Sequence, residues 1–508
     1  MLPFETKAQF YVMNTFQQIF YSIYHFLTEH DGAMMYCSLS FFLTFLIFYA
    51  IFIYIRRSGV KDRKRSMQIY VIAFSLFYAY KANGWFMLLL PATTLISYYL
   101  VEWMKSYSGK SARKLIATLN VLVVLSPLMF FKYTNFTLQT LNNIIASNFS
   151  PIEIFLPIGL SFYTFQAISY IVDVYKKKFT VHTTLLEYTF FLTFFPLLIA
   201  GPITRPETLI PQLKKPFPRN PRLLYSGLFL IVTGLLKKGL IADYIAQYND
   251  WIFEDPMGYS GYEVFMGVFG YAMQIYCDFS GYSDFSIGLA ALMGIKLLPN
   301  FNSPYQSLNL TEFWHRWHIA LSTWFRDYIY IPLGGNRKGK IRTYVNNFIT
   351  MLFAGWWHGA SWMFIIWGAM HGVGLMIHKS CKPWLTRLGD GLWVRFGSWF
   401  VTFIWVLFAW IFFRASNMEV VGQVFSKIFT DFDLAYLWPF YVARPMWMTL
   451  VLLAFIFHLI IKENVWSWMQ ERFVRMPAFV KFIILLVAVQ LVVNFRLANV
   501  NPFIYAQF

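Results

Sequence analysis

The chain has 508 residues, of which 58% are hydrophobic and only 13% are charged, and its formal net charge is +18. The charged fraction is about half that of a soluble domain, and long apolar runs recur along the whole chain. This composition excludes a soluble enzyme with a single membrane anchor. The runs are continuously apolar rather than alternating, so a membrane β-barrel is also excluded.

The basic residues lie in short loops between the apolar runs. Such a distribution is typical of cytoplasmic loops and of surfaces that contact anionic membrane lipids, so we expect no nucleic-acid partner. The prediction is an all-α polytopic membrane protein in which the alternation of basic loops and apolar runs sets the topology.

The N-terminal extension, residues 1–32, precedes a single transmembrane domain expected at 33–508. Apolar residues near helical spacing in Gln9–Leu27 predict an interfacial helix, with a packed helix that has no membrane role as the alternative. The first span, at about 33–55, ends at the basic loop Arg56–Arg65, so we expect the N-terminus outside the cytoplasm.

The next apolar runs continue this alternation. Spans are expected near 68–81, 84–103, 115–131 and 154–174. The loops Lys105–Lys114 and Lys176–Lys178 should then be cytoplasmic, and the polar segment Lys132–Ser150 external.

The run at 185–203 has basic flanks on both sides, so it can enter the membrane and return without crossing, which is tolerated where backbone is buried in protein. Further apolar runs bring the expected total to about ten to thirteen membrane segments, re-entrant elements included; they lie near 223–242, 262–277, 283–298, 343–378, 398–413, 446–461 and 478–494.

Five of the nine histidines fall between residues 315 and 378. One of them, His358, lies within "GWWHGASW" in the middle of the uncharged run Thr343–His378. A continuous helix of that length would extend about 54 Å, against roughly 30 Å of hydrocarbon. We therefore expect the run to be broken or strongly tilted, with Gly355 and Gly359 as breaking points or close-packing positions, and place His358 inside the bundle near a cavity.

A neutral imidazole at that depth suits a general base that takes a proton from an attacking hydroxyl. A buried histidine bonded to backbone is the alternative. A metal site is disfavoured, because His315 and His318 are three residues apart but no carboxylate-rich pattern completes a ligand set.

Two further segments are too polar to face lipid. Asn309–Gly339 is rich in charges and aromatic residues and predicts a buried or re-entrant helix with a basic, cytoplasmic end. Tyr276–Gly288 places Asp278 and Asp284 between apolar runs. These carboxylates could orient a histidine, contact substrate, or form structural ion pairs with arginines such as Arg316 and Arg326.

Taken together, the motifs resemble the membrane-bound O-acyltransferase (MBOAT) family, in its alginate O-acetylation branch, from about residue 34 to the end. The matching strings are "LPIGLSFYTFQAISYIVDVY", "FFPLLIAGPITRP", "YCDFSGYSDFSIGLAALMGI", "FNSPYQSLNLTEFWHRWHIALSTWFRDYIYIPLGGNRKG", "GWWHGASWMFIIWGAMHG" and "NPFIYAQF". The resemblance implies a multi-helix bundle with re-entrant elements around a central tunnel.

The resemblance also implies an O-acyltransferase of the bacterial inner membrane. It would take an acetyl group from cytoplasmic acetyl-CoA, without a bound cofactor, for an extracytoplasmic polysaccharide. The acceptor could be alginate-type, cellulose, another exopolysaccharide or peptidoglycan. A serine hydrolase-like acetyltransferase outside the membrane is the partner that such proteins usually have. The long N-terminal extension departs from the usual short start and leaves a different partner or substrate open.

The family's motif residues fall on definite positions of this chain. His358 matches the membrane-embedded histidine, and His318 matches the second histidine, so both are expected to be catalytic. The expected substrate-binding residues are Arg316, Trp317, Arg326, Trp357, Asp278 and Asp284. A basic donor entrance is expected at Arg337, Lys338, Lys340 and Arg342, with simple topology determinants as the alternative.

Three other functions remain open from the sequence. A sister branch transfers D-alanine to teichoic acids from a carrier protein. A transporter that exports a lipid-linked glycan, and a scaffold for a secretion complex, would also use a tunnel and intramembrane polar groups. The clustered histidines and the scarcity of charge in the spans favour chemistry over ion-coupled transport.

Overall fold

A computed structural model of the chain describes residue 36 and residues 38–495. All regular secondary structure in these residues is helical, which confirms the all-α prediction. The predicted interfacial helix at Gln9–Leu27 lies outside the described residues.

The α-helices are numbered here in chain order. They are α1 (Leu39–Arg57), α2 (Arg63–Asn83), α3 (Leu89–Lys105), α4 (Lys110–Leu128), α5 (Thr134–Ile145), α6 (Leu160–Tyr175), α7 (Leu185–Thr193), α8 (Phe195–Leu198), α9 (Pro206–Leu213), α10 (Pro221–Leu235), α11 (Asp243–Glu254), α12 (Gly261–Leu292), α13 (Leu310–Arg316), α14 (Ile319–Phe325), α15 (Lys340–His358), α16 (Trp362–Arg387), α17 (Leu392–Arg414), α18 (Met418–Thr430), α19 (Leu437–Ala443), α20 (Pro445–Ile460), α21 (Glu463–Arg475) and α22 (Ala478–Phe495). Short π-helices occur at Met129–Tyr133, Leu236–Ala242 and Arg326–Tyr330, and short 3₁₀ helices at Gly84–Leu88, Pro256–Gly258, Pro304–Gln306 and Leu434–Tyr436.

Several helical stretches of the described chain are long and apolar enough to cross a membrane. There are five by length and composition, at Ser40–Arg57, Arg63–Lys105, Lys110–Ile145, Leu392–Arg414 and Ala478–Phe495, or up to six if a pair that includes α20 and bends by 108° is one span. A polytopic membrane protein is thereby confirmed, and the larger total of ten to thirteen segments stays a prediction.

The stretch Arg63–Lys105 contains 43 residues, about 65 Å of helix against roughly 30 Å of hydrocarbon. It is interrupted at Gly84, whose φ of +54° lies in the left-handed region that glycine adopts without strain. This break agrees with the two spans expected at 68–81 and 84–103.

The basic loops lie together at one end of the bundle. The Arg113 guanidinium donates to the Tyr175 carbonyl, and Gln212 exchanges two hydrogen bonds with the backbone of Lys296. We call this end the basic side; it carries the loops at 58–62, 106–109, 176–184, 214–220, 293–303 and 331–339.

The other ends of the helices meet at the opposite side. There, the Asn83 side chain bonds to the backbone of Ile158, and the Gly261 amide donates to the Asp431 carbonyl. The opposite side carries the loops at 146–159, 255–260, 359–361, 415–417 and 431–436.

The run at 185–203 enters the bundle from the basic side and returns to it. Glu187, in the first turn of α7, pairs with Lys214 just after α9, with 2.5 Å between Lys214 Nζ and Glu187 Oε2. Between these ends, α8 is wholly buried. This arrangement agrees with a run that dips in without crossing, which stays a prediction; its buried segment meets the condition that such an element requires.

Candidate active site

The uncharged run Thr343–His378 is broken at His358, as predicted from its length. The helix α15 ends at His358, three residues adopt non-helical conformations, and α16 begins at Trp362. The two helices pack closely because Gly355 and Gly368 face each other, where a Cβ atom on either residue would collide with the backbone of the other helix. The break leaves His358 only 2% exposed at a helix C-terminus inside the bundle.

The last carbonyls of α15 receive hydrogen bonds from a side chain that sequence reasoning placed elsewhere. Lys132 Nζ donates to the carbonyl oxygens of Trp357 at 2.7 Å and His358 at 2.9 Å, and the Tyr133 hydroxyl donates to the Trp356 carbonyl at 2.9 Å. Helix C-terminal carbonyls have no partner within their own helix. Lys132 and Tyr133 therefore stabilise a helix end that would otherwise be buried unpaired.

Lys132 was predicted to begin a polar external segment, and the structure differs in part. Helix continues through the π-helix Met129–Tyr133 into α5, so Lys132 lies on a helix and its amine reaches inward. The signal in the sequence was a single lysine among aromatic residues in "MFFKYTNF". Nothing local distinguishes it from a lysine at a membrane boundary.

Aromatic rings surround the imidazole of His358. The ring centroids of Trp357, Trp367 and Phe413 lie 5.0, 4.9 and 5.3 Å from that of His358. Trp367 meets the imidazole edge-on, at an interplanar angle of 90°. These contacts restrict the orientation of the His358 ring and give it an apolar environment.

His318 lies at a second helix break, between α13 and α14. Its φ of +42° is left-handed and uncommon for a residue with a side chain. The backbone on each side of the break bonds to one short segment: the Asn302 amide donates to the Arg316 carbonyl, and the Ile319 amide to the Asn300 carbonyl. The segment Asn309–Gly339 was expected to form a buried or re-entrant helix; it forms two short helices that are only partly buried, and a re-entrant position stays a prediction.

The imidazole of His318 is fully buried and has a polar partner. Its Nδ1 lies 3.1 Å from Asn300 Oδ1, and the Phe279 ring packs edge-on against it at 4.5 Å. The centroid of His318 is 6.5 Å from that of Trp357, which in turn contacts His358. The rings of both predicted histidines are therefore neighbours of the Trp357 ring. Asn300 is a further residue of this candidate site, and the sequence analysis missed it.

The other predicted substrate-binding residues divide into two groups. Trp317 is buried against Trp410, with ring centroids 5.0 Å apart, next to the histidines. Arg316 pairs with Glu312 at 2.9 Å, and Arg326 pairs with its neighbour Asp327 at 2.8 Å. These two arginines are therefore engaged in ion pairs at the C-terminal ends of α13 and α14.

The carboxylates Asp278 and Asp284 form ion pairs, which was one of the alternatives. Their partners are lysines rather than the arginines considered from the sequence. Lys238 Nζ lies 2.5 Å from Asp278 Oδ1, and Lys237 Nζ lies 2.8 Å from Asp284 Oδ2. The lysines come from the π-helix Leu236–Ala242, whose widened turn directs two consecutive side chains toward α12.

The four predicted donor-entrance residues are exposed at the basic side, just before and within the first turn of α15. Eighteen residues separate Lys340 from His358 along α15, a rise of about 27 Å. Their role in donor binding stays a prediction, and it concerns Arg337, Lys338, Lys340 and Arg342.

A cavity of about 940 Å³ lies between α10, α12 and α20–α22. Arg222 and Lys296 line it at the basic side, Lys237 and Asp284 line its wall, and Asn300 belongs to its lining. Because Asn300 bonds to His318, the cavity comes within one residue of His318. The described residues contain no group of three or more metal-binding side chains.

Comparison with known proteins identifies the family of this chain. Residues 176–421 match the model of the membrane-bound O-acyltransferase family. The chain is 39% identical over 378 residues to a probable alginate O-acetylase of Pseudomonas aeruginosa, with 73% of this chain and 70% of that protein covered.

Two other relatives are named for different acceptors. A peptidoglycan O-acetyltransferase of Helicobacter pylori is 36% identical over 383 residues, covering 70% of this chain and 72% of that protein. A teichoic acid D-alanyltransferase of Bacillus subtilis is 27% identical over 398 residues, covering 74% and 97%. On this similarity the chain belongs to the membrane-bound O-acyltransferase family and is an O-acyltransferase.

Proposed function

We propose that this O-acyltransferase moves an acetyl group from acetyl-CoA to a hydroxyl acceptor outside the membrane, for O-acetylation of a cell-envelope polysaccharide. The observation that carries the proposal is the placement of His318 and His358 on either side of Trp357, each at a break in a buried helix. Intramembrane ionisable groups are costly and mark functional sites.

His358 is the general base in this proposal. It takes the proton of the acceptor hydroxyl as that oxygen attacks the thioester carbonyl, and it returns the proton to the sulfur of the departing CoA. The surrounding aromatic rings exclude water, which protects the thioester from hydrolysis. The fixed edge-on contact with Trp367 orients the imidazole before the substrates arrive.

His318 acts on the donor side. Its bond to Asn300 sets the orientation of its ring, and Asn300 lines the cavity that has Arg222 and Lys296 at its basic side. CoA carries phosphates, for which basic side chains are suitable partners. The cavity is thus a candidate route for the pantetheine arm, alongside the exposed loop Arg337–Arg342.

Orientation follows from the charge distribution. We place the basic side in the cytoplasm of a bacterium, where acetyl-CoA is available, and the opposite side and the N-terminus outside the inner membrane. Lys132 and His358 then lie toward the external half of the bundle, since α15 runs from the basic side to its end at His358. An external acceptor would thus have a short path to His358.

The acceptor is a polysaccharide in this proposal, reached through an extracytoplasmic serine hydrolase-like acetyltransferase. Alginate-type polymers and peptidoglycan are favoured, because the names of relatives that are 39% and 36% identical refer to them. Transfer of D-alanine to teichoic acid is less favoured, because the corresponding relative is 27% identical.

The test is acetyl-CoA turnover by purified protein together with its acceptor. His358→Ala should lower turnover at least ~10²-fold, the lower range for loss of a general base. Removing the His358 imidazole leaves only a modest void beside Gly359, so we expect the variant to fold and to bind its partner. His182→Ala, at an exposed histidine in a loop of the basic side, is the matched control. A folded His358→Ala protein with near-normal turnover would refute the assignment, and His318 would replace it.

A further inference from the structure

One residue, Asn300, contacts the buried helix break at His318 through both its side chain and its backbone. The side-chain oxygen of Asn300 accepts the Ala320 amide at 3.1 Å and lies 3.1 Å from His318 Nδ1. The side-chain nitrogen donates to Ser283 Oγ at 3.1 Å, and the Asn300 carbonyl accepts the Ile319 amide at 2.8 Å. Asn300 is 1% exposed and His318 is 0% exposed, so both side chains depend on protein partners at this place.

These hydrogen bonds determine which end of the Asn300 amide faces His318. A backbone N–H is only a donor, so the Asn300 atom that meets the Ala320 amide must be the oxygen. The reversed amide would place two donors against each other in a buried site, which is costly. An amide oxygen has two lone pairs, so the same oxygen can accept from both Ala320 and His318.

The position of this oxygen determines which nitrogen of His318 carries the hydrogen. An acceptor oxygen requires a donor opposite, so His318 Nδ1 is the protonated nitrogen. The ring is fully buried, and burying a charged imidazole costs far more than burying a neutral one. In a neutral imidazole one nitrogen is a donor and the other is an acceptor. The Nε2 atom of His318 therefore holds a lone pair.

We propose that Asn300 is a positioning residue for acyl transfer: it keeps the hydrogen of His318 on Nδ1, so that Nε2 meets the acyl donor as a hydrogen-bond acceptor. This inference rests on the proposed function, in which His318 acts on the donor side. A neutral His318 in this form has no N–H at Nε2 with which to polarise the thioester carbonyl. Its lone pair suits an amide N–H of the pantetheine arm, in the cavity that Asn300 lines.

The direct test is nuclear magnetic resonance of full-length protein that is isotope-labelled at its histidine ring nitrogens. The signals of His318 are identified by their absence in His318→Gln. We expect the wild-type His318 ring to carry hydrogen on Nδ1 and none on Nε2. Hydrogen on Nε2, alone or together with Nδ1, would overturn the inference.

Variants of Asn300 then test whether its oxygen sets this state and whether the state matters for the donor. Asn300→Leu removes the acceptor, so hydrogen should appear on Nε2 of His318. Its kcat/KM for acetyl-CoA should fall roughly 10-fold, the scale of one lost hydrogen bond. Asn300→Asp keeps an acceptor oxygen and should retain the hydrogen on Nδ1 and most of kcat/KM.

The matched control is Ser283→Ala, which removes the other side-chain partner of Asn300 and should keep the wild-type hydrogen position on His318. A folded Asn300→Leu protein with hydrogen still on Nδ1 alone, or with wild-type kcat/KM, would contradict the inference. If Asn300→Leu does not fold, the hydrogen position in wild-type protein and in Asn300→Asp decides the question.

The outcomes also separate this inference from the proposed function. The hydrogen position on His318 is measured without turnover, so an unexpected position leaves the assignment of His358 untouched. If His358→Ala turns over normally, the proposed function is wrong, and the role of Asn300 in donor binding falls with it.

Discussion

Replacing Lys132 by Met is expected to disrupt the active site without touching either histidine. The Lys132 amine is the donor to the carbonyls of Trp357 and His358. Methionine has a similar length but no donor, so both carbonyls lose that hydrogen bond at a buried helix end. Each unsatisfied group costs about 1–3 kcal/mol, so the two together cost about 2–6 kcal/mol.

The lower end of that range is the better expectation, because the variant no longer buries an amine. A free-energy cost of about 1.4 kcal/mol corresponds to a tenfold change in an equilibrium constant. Even about 2 kcal/mol therefore shifts the folding of this helix end by more than tenfold. The last turn of α15 should therefore fray, and His358 should lose its fixed contact with Trp367. We expect a lower unfolding temperature and a kcat reduced by roughly 10-fold or more, because a small misplacement of a catalytic group is costly.

The assay is acetyl-CoA turnover combined with thermal unfolding of the purified protein in detergent. Lys132→Arg keeps the donors and should retain much of the activity. Tyr133→Phe removes only the bond to the Trp356 carbonyl and should cost about 1 kcal/mol. Lys114→Met, at an exposed lysine of α4, should change nothing. A Lys132→Met protein with wild-type stability and wild-type kcat would refute the capping argument.

Two further predictions concern orientation and donor entry. In protein without native cysteines, a single cysteine introduced at Asn143 should react with an impermeant thiol reagent added outside the cell, and one at Ser58 should not. The reason is that we place the basic side in the cytoplasm. The reverse labelling pattern would mean that the basic side, and the donor with it, is outside. Neutralising Arg222 and Lys296 together should raise KM for acetyl-CoA with little change in kcat, since both residues line the cavity at the basic side. If KM rises only when the exposed loop residues are neutralised together, the donor enters at that loop instead; these residues are Arg337, Lys338, Lys340 and Arg342.

Much of the architecture was readable from the sequence for simple physical reasons. A transmembrane helix needs only about twenty apolar residues, so an uncharged run as long as Thr343–His378 was expected to break or to tilt strongly, and it breaks at His358. Basic flanks on both sides of 185–203 indicated an element that returns to the side from which it entered, and the Glu187–Lys214 pair brings the start of α7 close to the end of α9. His358 was singled out because ionisable groups are rare at that depth, whereas His318 was assigned from the resemblance to the family's motif.

The partners of these residues depend on contacts between segments far apart in the chain. Lys132 and His358 are 226 residues apart, and no local pattern marks a lysine that bonds to a distant helix end. Asn300 lies 18 residues before His318 and meets it only because a helix break turns the imidazole toward it. Asp278 and Asp284 pair with lysines that a π-helix brings into register. Composition and apolar runs indicated the membrane segments and singled out His358, and the resemblance to the family added His318. Tertiary packing alone decided which polar groups meet inside the bundle, because each buried polar group finds its partner wherever the fold supplies one.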